Sequence, residues 1–577
     1  MSGTLAISIG QHSDRGRKEV NQDFHGALIP EEPLLGLKGI AVVLADGISS
    51  SKVSRIAAES AVKSFLFDYY CTSDTWSVKT SAQRVIAATN SWLHAQTRQS
   101  QYPHDHDRGY VCTLSALVIR STTAHLFHVG DARIYRLAGK SLEQLTEDHR
   151  VVVSSEQSYL GRALGVNHQV EIDYRALPVE KGDTFILATD GVYEYVNPHF
   201  IAGTIERHAG DLDAAARATL EEAYRQGSDD NLTVQIVRVD ELPAREAGDI
   251  LGPAAELPCP PLLEAREMID GYRIVREIHA SSRSHIYLAV DTDSGETVVL
   301  KTPSVDLSAD AELLRRFRME EWIARRLNSA HVLKPRQPPR KRGYLYVVTE
   351  FVEGQTLKQW MIDNPKPDLE TVRGIVEQIA RGLQAFHRME MLHQDLRPNN
   401  IMIDKTGTVK IIDFGSTRIS GISDAAPRDL DTAILGTVQY TAPEYFLGEG
   451  GSNRSDIFSL GVMAYQMLTG RLPYGAAVPK ARTKAQQRKL RYKPARDEDS
   501  DIPAWVDGAL KKAVHSDPYQ RYDELSEFVF DLRHPNENFL RSSMPLMQRN
   551  PLLFWQGLVA LLLIVIVTLL YHQYVAP

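Results

Sequence analysis

The sequence is poor in cysteine and has no excess of positive charge. Its three cysteines, Cys71, Cys112 and Cys259, lie far apart among 577 residues and form no Cys-x-x-Cys pair, which excludes a disulfide framework and a zinc cluster. The formal net charge is −8, so nucleic acid is not an expected partner. The N-terminus lacks a basic segment followed by an apolar one, and we expect no signal peptide.

Glycine is missing where one motif normally needs it. Residues 278–290, IHASSRSHIYLAV, have the form of a loop that covers nucleotide phosphates and leads to a strand ending at Lys301, yet they contain no glycine. Glycine is usual in such loops because a residue without Cβ lets the backbone approach a phosphate closely. The segment is therefore a phosphate loop, a decayed one, or an ordinary hairpin.

The length and the proline distribution predict several domains. A chain of 577 residues is too long for one core. Five prolines between residues 241 and 268 resist helix and sheet, and indicate a semi-rigid linker. Strand-like and helical segments alternate before it, whereas a strand-rich lobe and then mostly helical sequence follow it. We predict a multi-domain α+β chain with domains at 1–240 and 269–535.

An apolar segment ends the sequence. Residues 552–571, LLFWQGLVALLLIVIVTLLY, carry no charge, and about 20 helical residues cover the roughly 30 Å hydrocarbon core of a bilayer. A buried core helix is rarely apolar on all faces over this length. We therefore expect a juxtamembrane segment at 536–551 and a single C-terminal transmembrane helix. Arg541 and Arg549 would keep both domains on the cytoplasmic side of a bacterial inner membrane.

The second domain has the residues and spacing that phosphoryl transfer needs. The segment 391–415, MLHQDLRPNNIMIDKTGTVKIIDFG, places Asp395 and Asn400 in one loop and Asp413 at the end of an apolar strand. One carboxylate can take the proton of an incoming hydroxyl, while a carboxylate and an amide hold Mg²⁺ against the phosphates. Lys301 can reach the phosphates from its strand, and Glu320 can pair with it.

Together with GTVQYTAPE (436–444), DIFSLG (456–461) and DPYQRY (517–522), these segments resemble the eukaryotic-type Ser/Thr protein kinase family over roughly 270–535. The resemblance implies a two-lobed fold that binds ATP with Mg²⁺. It implies Asp395 as catalytic base, Lys301 as ATP anchor and Glu320 as its partner, with Asn400 and Asp413 as metal ligands. The ATP-binding residues that it implies are Ile278, His279, Ala280, Ser281, Ser282, Arg283, Ser284, His285, Ile286, Lys301, Glu350, Val352, Asn400 and Asp413.

The chain also departs from the kinase pattern. The positions of the family's loop glycines are filled by His279, Ser281 and Ser284. We therefore expect weaker nucleotide binding. Gln394 stands where an arginine often receives an activation-loop phosphate. The sequence therefore gives weaker support for regulation of the kinase by phosphorylation at Thr432 or Thr437. The resemblance further implies a structural ion pair between Glu444 and Arg521.

In the first domain, aspartates recur at the ends of apolar strands. They lie in the segments VNQDF, VVLADG, HVGDAR, ILATDG and GSDDN. Carboxylates that converge on one cleft repel one another, and hard divalent cations relieve this. Two such ions can activate a bridging water and clamp the reacting oxygens. The pattern predicts metal-dependent hydrolysis with Mg²⁺ or Mn²⁺.

With LTEDHR (145–150) and LGRALG (160–165), these segments resemble the metal-dependent protein phosphatases of type 2C over about 1–240. The resemblance implies a β-sandwich flanked by helices, two or three bound Mg²⁺ or Mn²⁺ ions, and removal of phosphate from phospho-Ser/Thr. The metal ligands that it implies are Asp23, Asp46, Gly47, Asp131, Asp190 and Asp230. Gln22 stands where many members have Glu, and Lys18 stands where an Arg usually grips the phosphate, with Arg17 as the alternative cation.

Two further clusters favour plain explanations. HDHD (104–107) has the composition of a metal patch but lies in a polar segment, which favours a solvated loop. Residues 480–496, KARTKAQQRKLRYKPAR, contain eight Lys or Arg and favour a solvated helical insertion in the second domain. A nucleic-acid patch and attraction to anionic headgroups remain as alternatives.

The sequence thus predicts a bifunctional, membrane-anchored signalling enzyme. Its partners would be proteins that carry Ser/Thr or phospho-Ser/Thr, the chain itself included, and the membrane. The rival hypothesis is a signalling scaffold in which a pseudokinase senses nucleotide and regulates the phosphatase. The glycine-free loop favours the rival, whereas Asp395 and Asp413 oppose it.

Overall fold

The computed structural model describes residues 4–101, 103, 105, 108–154, 157–243, 257–281, 284–304, 311–336, 341–420, 439–496, 502–539 and 551–575. The chain divides into two compact units, Met1–Ala255 with Ile419–Arg428 and Glu256–Arg418 with Asp429–Pro577. The singled-out residues that lie outside the described ones are His104, His106, Asp107, Ser282, Arg283, Thr432, Thr437, Arg541 and Arg549.

The first unit is built on two antiparallel sheets. Its strands are β1 (Ala6–Asp14), β2 (Phe24–Leu28), β3 (Ile40–Ala45), β4 (Leu114–Arg120), β5 (Thr123–Val129), β6 (Arg133–Ala138), β7 (Ser141–Gln144), β8 (Arg150–Ser154), β9 (Gln157–Leu160), β10 (Asp173–Pro178), β11 (Thr184–Ala188) and β12 (Leu232–Glu241). One sheet has the order β1-β12-β11-β6-β7 and the other has the order β10-β5-β4-β3-β2. Strands β8 and β9 form a separate hairpin.

Helices cover the outer faces of these sheets. They are α1 (Leu34–Lys38), α2 (Ser54–Cys71), α3 (Val78–Gln99), α4 (Asp190–Tyr193), α5 (Pro198–Arg207) and α6 (Leu212–Arg225). Val42 of β3 joins Leu187 of β11 in the core shared by the two sheets. Its neighbour Val43 points to the other face and joins Phe65 of α2 in a second core. Strands buried on both faces explain why their sequences are continuously apolar.

The second unit opens with a five-stranded antiparallel sheet. Its strands are β13 (Met268–Ile269), β14 (Tyr272–Ala280), β15 (Ser284–Asp291), β16 (Thr297–Pro303) and β17 (Val347–Glu350), in that order across the sheet, with helix α7 (Ala311–Arg326) between β16 and β17 in the chain. In β16, Val298 and Leu300 are buried in the core of the sheet. Alternation along the strand turns Lys301 to the opposite face.

The rest of the second unit is mainly helical. Its helices are α8 (Leu357–Asp363), α9 (Leu369–Arg388), α10 (Asn453–Thr469), α11 (Lys484–Gln487), α12 (Ala504–Ala513), α13 (Leu525–Arg533) and α14 (Pro551–Val575). Its strands are β18 (Gly354–Thr356), β19 (Met391–Leu392), β20 (Ile401–Asp404), β21 (Val409–Ile411) and β22 (Arg418–Ile419). Short 3-10 turns lie at Pro398–Asn400, Pro443–Leu447, Val478–Lys480 and Pro518–Gln520.

Helix α9 shows how the sequence specifies this helical lobe. Asp368 caps its start by accepting the N–H of Thr371 at 2.8 Å. Buried residues then recur at helical spacing, including Val372, Ile379 and Leu383. The predicted α+β organisation with two folded units is confirmed.

The predicted transmembrane helix is wrong. A span needs about 20 consecutive apolar residues to cover roughly 30 Å of hydrocarbon. Among the described residues, no helix combines the length and the apolar character that crossing a membrane requires. The single-pass anchor and the bacterial inner-membrane localisation inferred from it are corrected accordingly.

A buried ion pair lies inside the helical lobe. Arg521 Nη1 and Nη2 donate to Glu444 Oε1 and Oε2 at 2.8 and 2.7 Å, and the two side chains are 0% and 4% exposed. Ser455 Oγ at the start of α10 also donates to Glu444, at 2.6 Å. This network satisfies both charges and ties three segments together.

Arg521→Met is expected to destabilise the second unit by about 3–5 kcal/mol, because it leaves Glu444 buried and unpaired. Hydrogen exchange of the α10 peptides would measure this loss without interference from the first unit. The matched control is Arg533→Met, since Arg533, itself 32% exposed, pairs near the surface with Glu370 at 2.6 Å and with Glu377 at 2.8 Å. The control is expected to cost under about 1 kcal/mol. Equal losses in both variants would contradict the assignment.

Candidate active sites

The predicted metal-ligating aspartates of the first unit all lie at strand ends. Asp23 precedes β2 and Asp46 follows β3, while Asp131 follows β5. Asp190 begins α4 directly after β11, and Asp230 lies just before β12. Because these ends belong to neighbouring strands of the two sheets, the fold gathers the carboxylates at one edge of the sandwich.

Their mutual repulsion shows how close they lie. Burial raises the pKa of Asp46 well above its ordinary value, and the charges of Asp23, Asp190, Asp131 and Asp230 raise it further. Burial also raises the pKa of Asp190 to about 7, with Asp131 and Asp230 adding to the effect. The structure therefore brings the five predicted carboxylates into one electrostatic cluster.

Asp23 is the most enclosed member of the cluster. Its Oδ2 accepts hydrogen bonds from Thr233 Oγ1 at 2.6 Å and from Thr189 Oγ1 at 3.1 Å. Its Oδ1 is buried and makes no hydrogen bond. Burial raises the pKa of Asp23 to about 6, although the hydrogen bonds from the threonines oppose this shift. A buried carboxylate oxygen without a partner is the kind of group that a cation satisfies.

Arginine and lysine side chains neutralise the cluster. Arg150 Nε and Nη2 donate to Asp131 Oδ2 and Asp190 Oδ2, both at 2.7 Å. Its Nη1 donates to Glu194 Oε1, also at 2.7 Å. Lys18 Nζ lies 3.5 Å from Asp230 Oδ1. Within the described ranges, no group of three or more His, Cys, Asp or Glu side chains is arranged to hold a metal ion.

Glycines allow close backbone packing beside the carboxylates. A Cβ on Gly47 would lie 2.8 Å from the carbonyl oxygen of Ser54. A Cβ on Gly191 would lie 2.1 Å from the carbonyl oxygen of Asn231. The backbone next to Asp190 can therefore approach the 230–231 segment only because residue 191 lacks a side chain.

The departures from the phosphatase pattern have local explanations. Gln22 Nε2 donates to the Ser51 carbonyl at 2.7 Å and lies 2.6 Å from Ser54 Oγ. A glutamate could not donate to that carbonyl, so Gln22 holds the segment after Asp46 in place. Arg17 donates to the Gly227 carbonyl at 2.7 Å. Lys18, not Arg17, is therefore the cation beside Asp230.

In the second unit, one lysine lies between two acidic side chains. Lys301 Nζ lies 2.7 Å from both carboxylate oxygens of Glu320 and 3.6 Å from Asp413 Oδ1. Burial opposes the charge on Lys301, but Asp413 and Glu320 outweigh it and raise its pKa. Burial likewise raises the pKa of Asp413, but Lys301 and the N–H of Gly415 outweigh it and lower the pKa overall. Asp413 is therefore ionised.

Asp395 and Asn400 form a second pair in this unit. Asn400 Nδ2 donates to the Asp395 carbonyl at 2.9 Å and lies 3.3 Å from its Oδ2. Arg397 Nε lies 3.5 Å from the same oxygen. Burial raises the pKa of Asp395, and Arg397 opposes this shift. The charge of Asp413 also acts on Asp395, which places the two carboxylates in one site.

The glycine-free segment joins two strands of a β-hairpin. Strands β14 and β15 pair antiparallel, with His279 opposite Ile286 and Ala280 opposite His285. Ser281 closes the turn, because its Oγ accepts the N–H of Ser284 at 3.1 Å and donates to the Ser284 carbonyl at 3.0 Å. Among the described residues of this loop, none has a positive φ. The missing glycines are therefore replaced without backbone strain.

The remaining predicted binding residues lie beside this sheet. Ile278, His279, Ala280 and Ser281 run along the end of β14, while Ser284, His285 and Ile286 begin β15. Glu350 ends β17, and its Oε1 contacts Lys410 Nζ at 2.7 Å. Val352 is buried two residues later.

The structure also reveals site residues that the sequence reading missed. Arg150, Thr189 and Thr233 contact the predicted metal ligands. Asn231 Oδ1 accepts the N–H of Gln22 at 2.9 Å. Arg150 is the last letter of the LTEDHR segment, and Thr189 precedes Asp190, so proximity to recognised motifs was the available signal.

The two ambiguous clusters differ in structure. Within HDHD, Asp105 lies 3.5 Å from Arg108 in a surface ion pair. In the basic segment, Gln487 is buried and donates to the Pro443 carbonyl at 2.6 Å, while Tyr492 donates to Asp507 at 2.8 Å. The basic segment is thus anchored in the helical lobe, with one short helix, α11.

Comparison with known proteins places both units. Residues 11–225 match the family model described as protein phosphatase 2C, and residues 272–529 match that of the protein kinase domain. Serine/threonine-protein kinase PrkC of Bacillus subtilis is 29% identical over 274 residues, which are 47% of this chain and 41% of PrkC. PknA of Corynebacterium glutamicum is 35% identical over 208 residues, which are 35% of this chain and 44% of PknA.

A solved serine/threonine phosphatase of Mycobacterium tuberculosis is 22% identical, covers 41% of this chain and 100% of its own, and has a TM-score of 0.35. The chain spans less than half the length of the two curated kinases that it matches. By its two family matches, the chain joins a member domain of the protein phosphatase 2C family to a member domain of the protein kinase family.

Proposed function

We propose that the chain is a bifunctional signalling enzyme. The second unit transfers the terminal phosphate of ATP to serine or threonine of proteins, and the first unit hydrolyses such phosphoesters. The observation that carries the proposal is the presence, on one chain, of a Lys301–Glu320 pair beside Asp413 and of five clustered aspartates.

The kinase proposal rests on matched geometry and charge. Lys301 is held by Glu320 on a sheet face opposite the core, where it can meet phosphates. Asp413 is ionised and 38% exposed, which suits a ligand of Mg²⁺. Asn400 is the second proposed ligand. Asp395, mostly buried and with a raised pKa, is suited to accept a proton from a substrate hydroxyl.

The phosphatase proposal rests on the donor set of the first unit. Asp23, Asp46, Asp131, Asp190 and Asp230 offer only oxygen donors, which is the chemistry that Mg²⁺ and Mn²⁺ prefer. The unpartnered Oδ1 of Asp23 fits such an ion. Bound ions would supply an activated water for hydrolysis. These carboxylates and the Gly47 carbonyl would hold them, and Lys18 would hold the substrate phosphate.

The scaffold hypothesis has one observation in its favour, the hairpin without glycines. The Ser281 hydroxyl bonds within the turn, so its side chain stays in the loop. A glycine at this position would leave that space open for the nucleotide. The two hypotheses differ in whether bound ATP is consumed.

Incubation of the full chain with labelled ATP and Mg²⁺ is expected to label the protein. Asp395→Asn should lower the rate by about 10²–10⁴-fold, because it removes the proposed base. Asp46→Asn should raise the accumulated label, since the chain would no longer remove its own phosphate. ATP binding without any label, in a protein whose folding is intact, would favour the scaffold.

Hydrolysis of p-nitrophenyl phosphate is expected to require Mn²⁺ or Mg²⁺ and to stop in excess chelator. Asp46→Asn should reduce it to background, because Asp46 lies at the centre of the cluster. The control is Asp395→Asn, which should hydrolyse the phosphoester at the rate of the unaltered chain. Turnover that persists without divalent ions would overturn the metal assignment.

Ser281→Ala is expected to weaken binding of Mg²⁺-ATP about fivefold, because the turn loses the hydrogen bonds of this hydroxyl to Ser284 and holding the turn in place for the nucleotide then costs about 1 kcal/mol more. The control is Ser294→Ala, since Ser294 Oγ accepts the N–H of Glu296 at 3.2 Å in the next turn of the same sheet. Calorimetric titration with ATP would measure both. Equal affinities in the two variants would show that the Ser281 hydroxyl does not contribute to nucleotide binding.

A further inference from the structure

Arg150 is the most highly connected charge in the first unit's carboxylate cluster. Each of its three guanidinium nitrogens donates to a different carboxylate, on Asp131, Asp190 and Glu194, at 2.7 Å. Burial opposes its charge, but the contact with Asp131 outweighs this and raises the pKa of Arg150. Its side chain is 25% exposed, so it lies at the mouth of the site.

The guanidinium uses the same oxygen atoms that a divalent ion would need. It occupies Asp131 Oδ2 and Asp190 Oδ2, while Asp190 Oδ1 already accepts the N–H of Gly191 at 2.8 Å. A hard cation requires carboxylate oxygens at about 2.0–2.6 Å. It also repels a positive charge held a few ångströms away. The ion and the guanidinium therefore compete for this pair.

We infer that Arg150 is an internal cation that holds Asp131 and Asp190 while no divalent ion is bound there, and that an ion binding to this pair displaces it. The inference rests on the proposed metal-dependent function. It accounts for the finding that the described side chains gather five carboxylates without forming a group ready to hold a metal ion.

Glu194 gives the displaced guanidinium a place to remain. It follows α4, its side chain is 45% exposed, and none of the sequence motifs predicts it as a metal ligand. Arg150 can release Asp131 and Asp190 and keep its contact with Glu194 in partly exposed surroundings. Displacement by an ion then breaks only the hydrogen bonds of Arg150 to Asp131 and Asp190. The contact with Glu194 keeps the guanidinium nearby, so that it can return when the ion leaves.

Other arginines of the unit are bound differently. Arg136 contacts Asp183 alone, through Nε at 3.3 Å and Nη2 at 2.6 Å. This is a one-to-one pair between strand β6 and the residue before β11, away from the cluster. It provides a matched control for the loss of an arginine–aspartate contact.

Calorimetric titration with Mn²⁺ tests the inference on the full chain carrying Asp413→Asn, which removes a proposed metal ligand of the second unit. In that background, we expect Arg150→Gln to lower the Kd of the most weakly bound Mn²⁺ ion roughly tenfold. A change of this size lies within the usual range of coupling between two ligands. It should also lower the Tm of the first unit in chelator and enlarge the rise in Tm on adding Mn²⁺. Arg136→Gln should change neither the Mn²⁺ affinity nor the size of that rise.

Arg150→Lys keeps the positive charge but cannot span three carboxylates with a planar fork, so it should shift the affinity in the same direction by a smaller factor. This variant decides the matter if Arg150→Gln does not fold. If Mn²⁺ binding depends on Asp46 but its affinity is unchanged or weakened in the Arg150 variants, the inference about Arg150 is wrong and the proposed phosphatase function still stands. Absence of Mn²⁺ binding in the parent and in every variant would overturn the proposed phosphatase function as well.

Discussion

Neutralisation of converging carboxylates by a cation held between two of them is the constraint on which both sites depend. In the second unit, Lys301 lies between Glu320 and Asp413. In the first, Arg150 lies between Asp131 and Asp190. Carboxylates gathered at strand ends would otherwise repel one another and push apart the segments that carry them. The cation lets the fold keep a concentration of negative charge that chemistry with phosphates and divalent ions can use.

The two cations differ in how firmly they are held. Lys301 Nζ makes its two closest contacts with the carboxylate oxygens of Glu320. Asp413 lies farther from Nζ, at 3.6 Å, and its side chain is partly exposed. Arg150 instead makes its contacts directly with the predicted ligands. A lysine held by a third residue leaves its neighbouring ligand available, whereas an arginine bound to the ligands themselves occupies them.

The sequence reading succeeded where spacing along the chain carries the information. Strand-end aspartates could be predicted to converge, because neighbouring strands of a sheet end at a common edge. Arg150 could not be assigned, because its partners lie 19 and 40 residues away and only the folded register of β8 brings them together. The transmembrane prediction for α14 rested on composition alone, and among the described residues no helix meets the requirements of a membrane span. The sequence also left the role of the β14–β15 hairpin open, because the missing glycines do not reveal that the Ser281 hydroxyl bonds within the turn.

The carboxylates of the two sites have different charge partners and different pKa shifts. This difference affects how two opposed activities can share one chain. The carboxylate proposed to bind Mg²⁺ in the second unit has a lowered pKa and is ionised without an ion present. Those of the first unit have raised pKa values at Asp23, Asp46 and Asp190, and two of the five are bound to Arg150. A divalent ion entering the first unit must therefore displace a guanidinium from two predicted ligands, whereas an ion entering the second meets a carboxylate whose neighbouring cation, Lys301, lies 3.6 Å away and is held by Glu320.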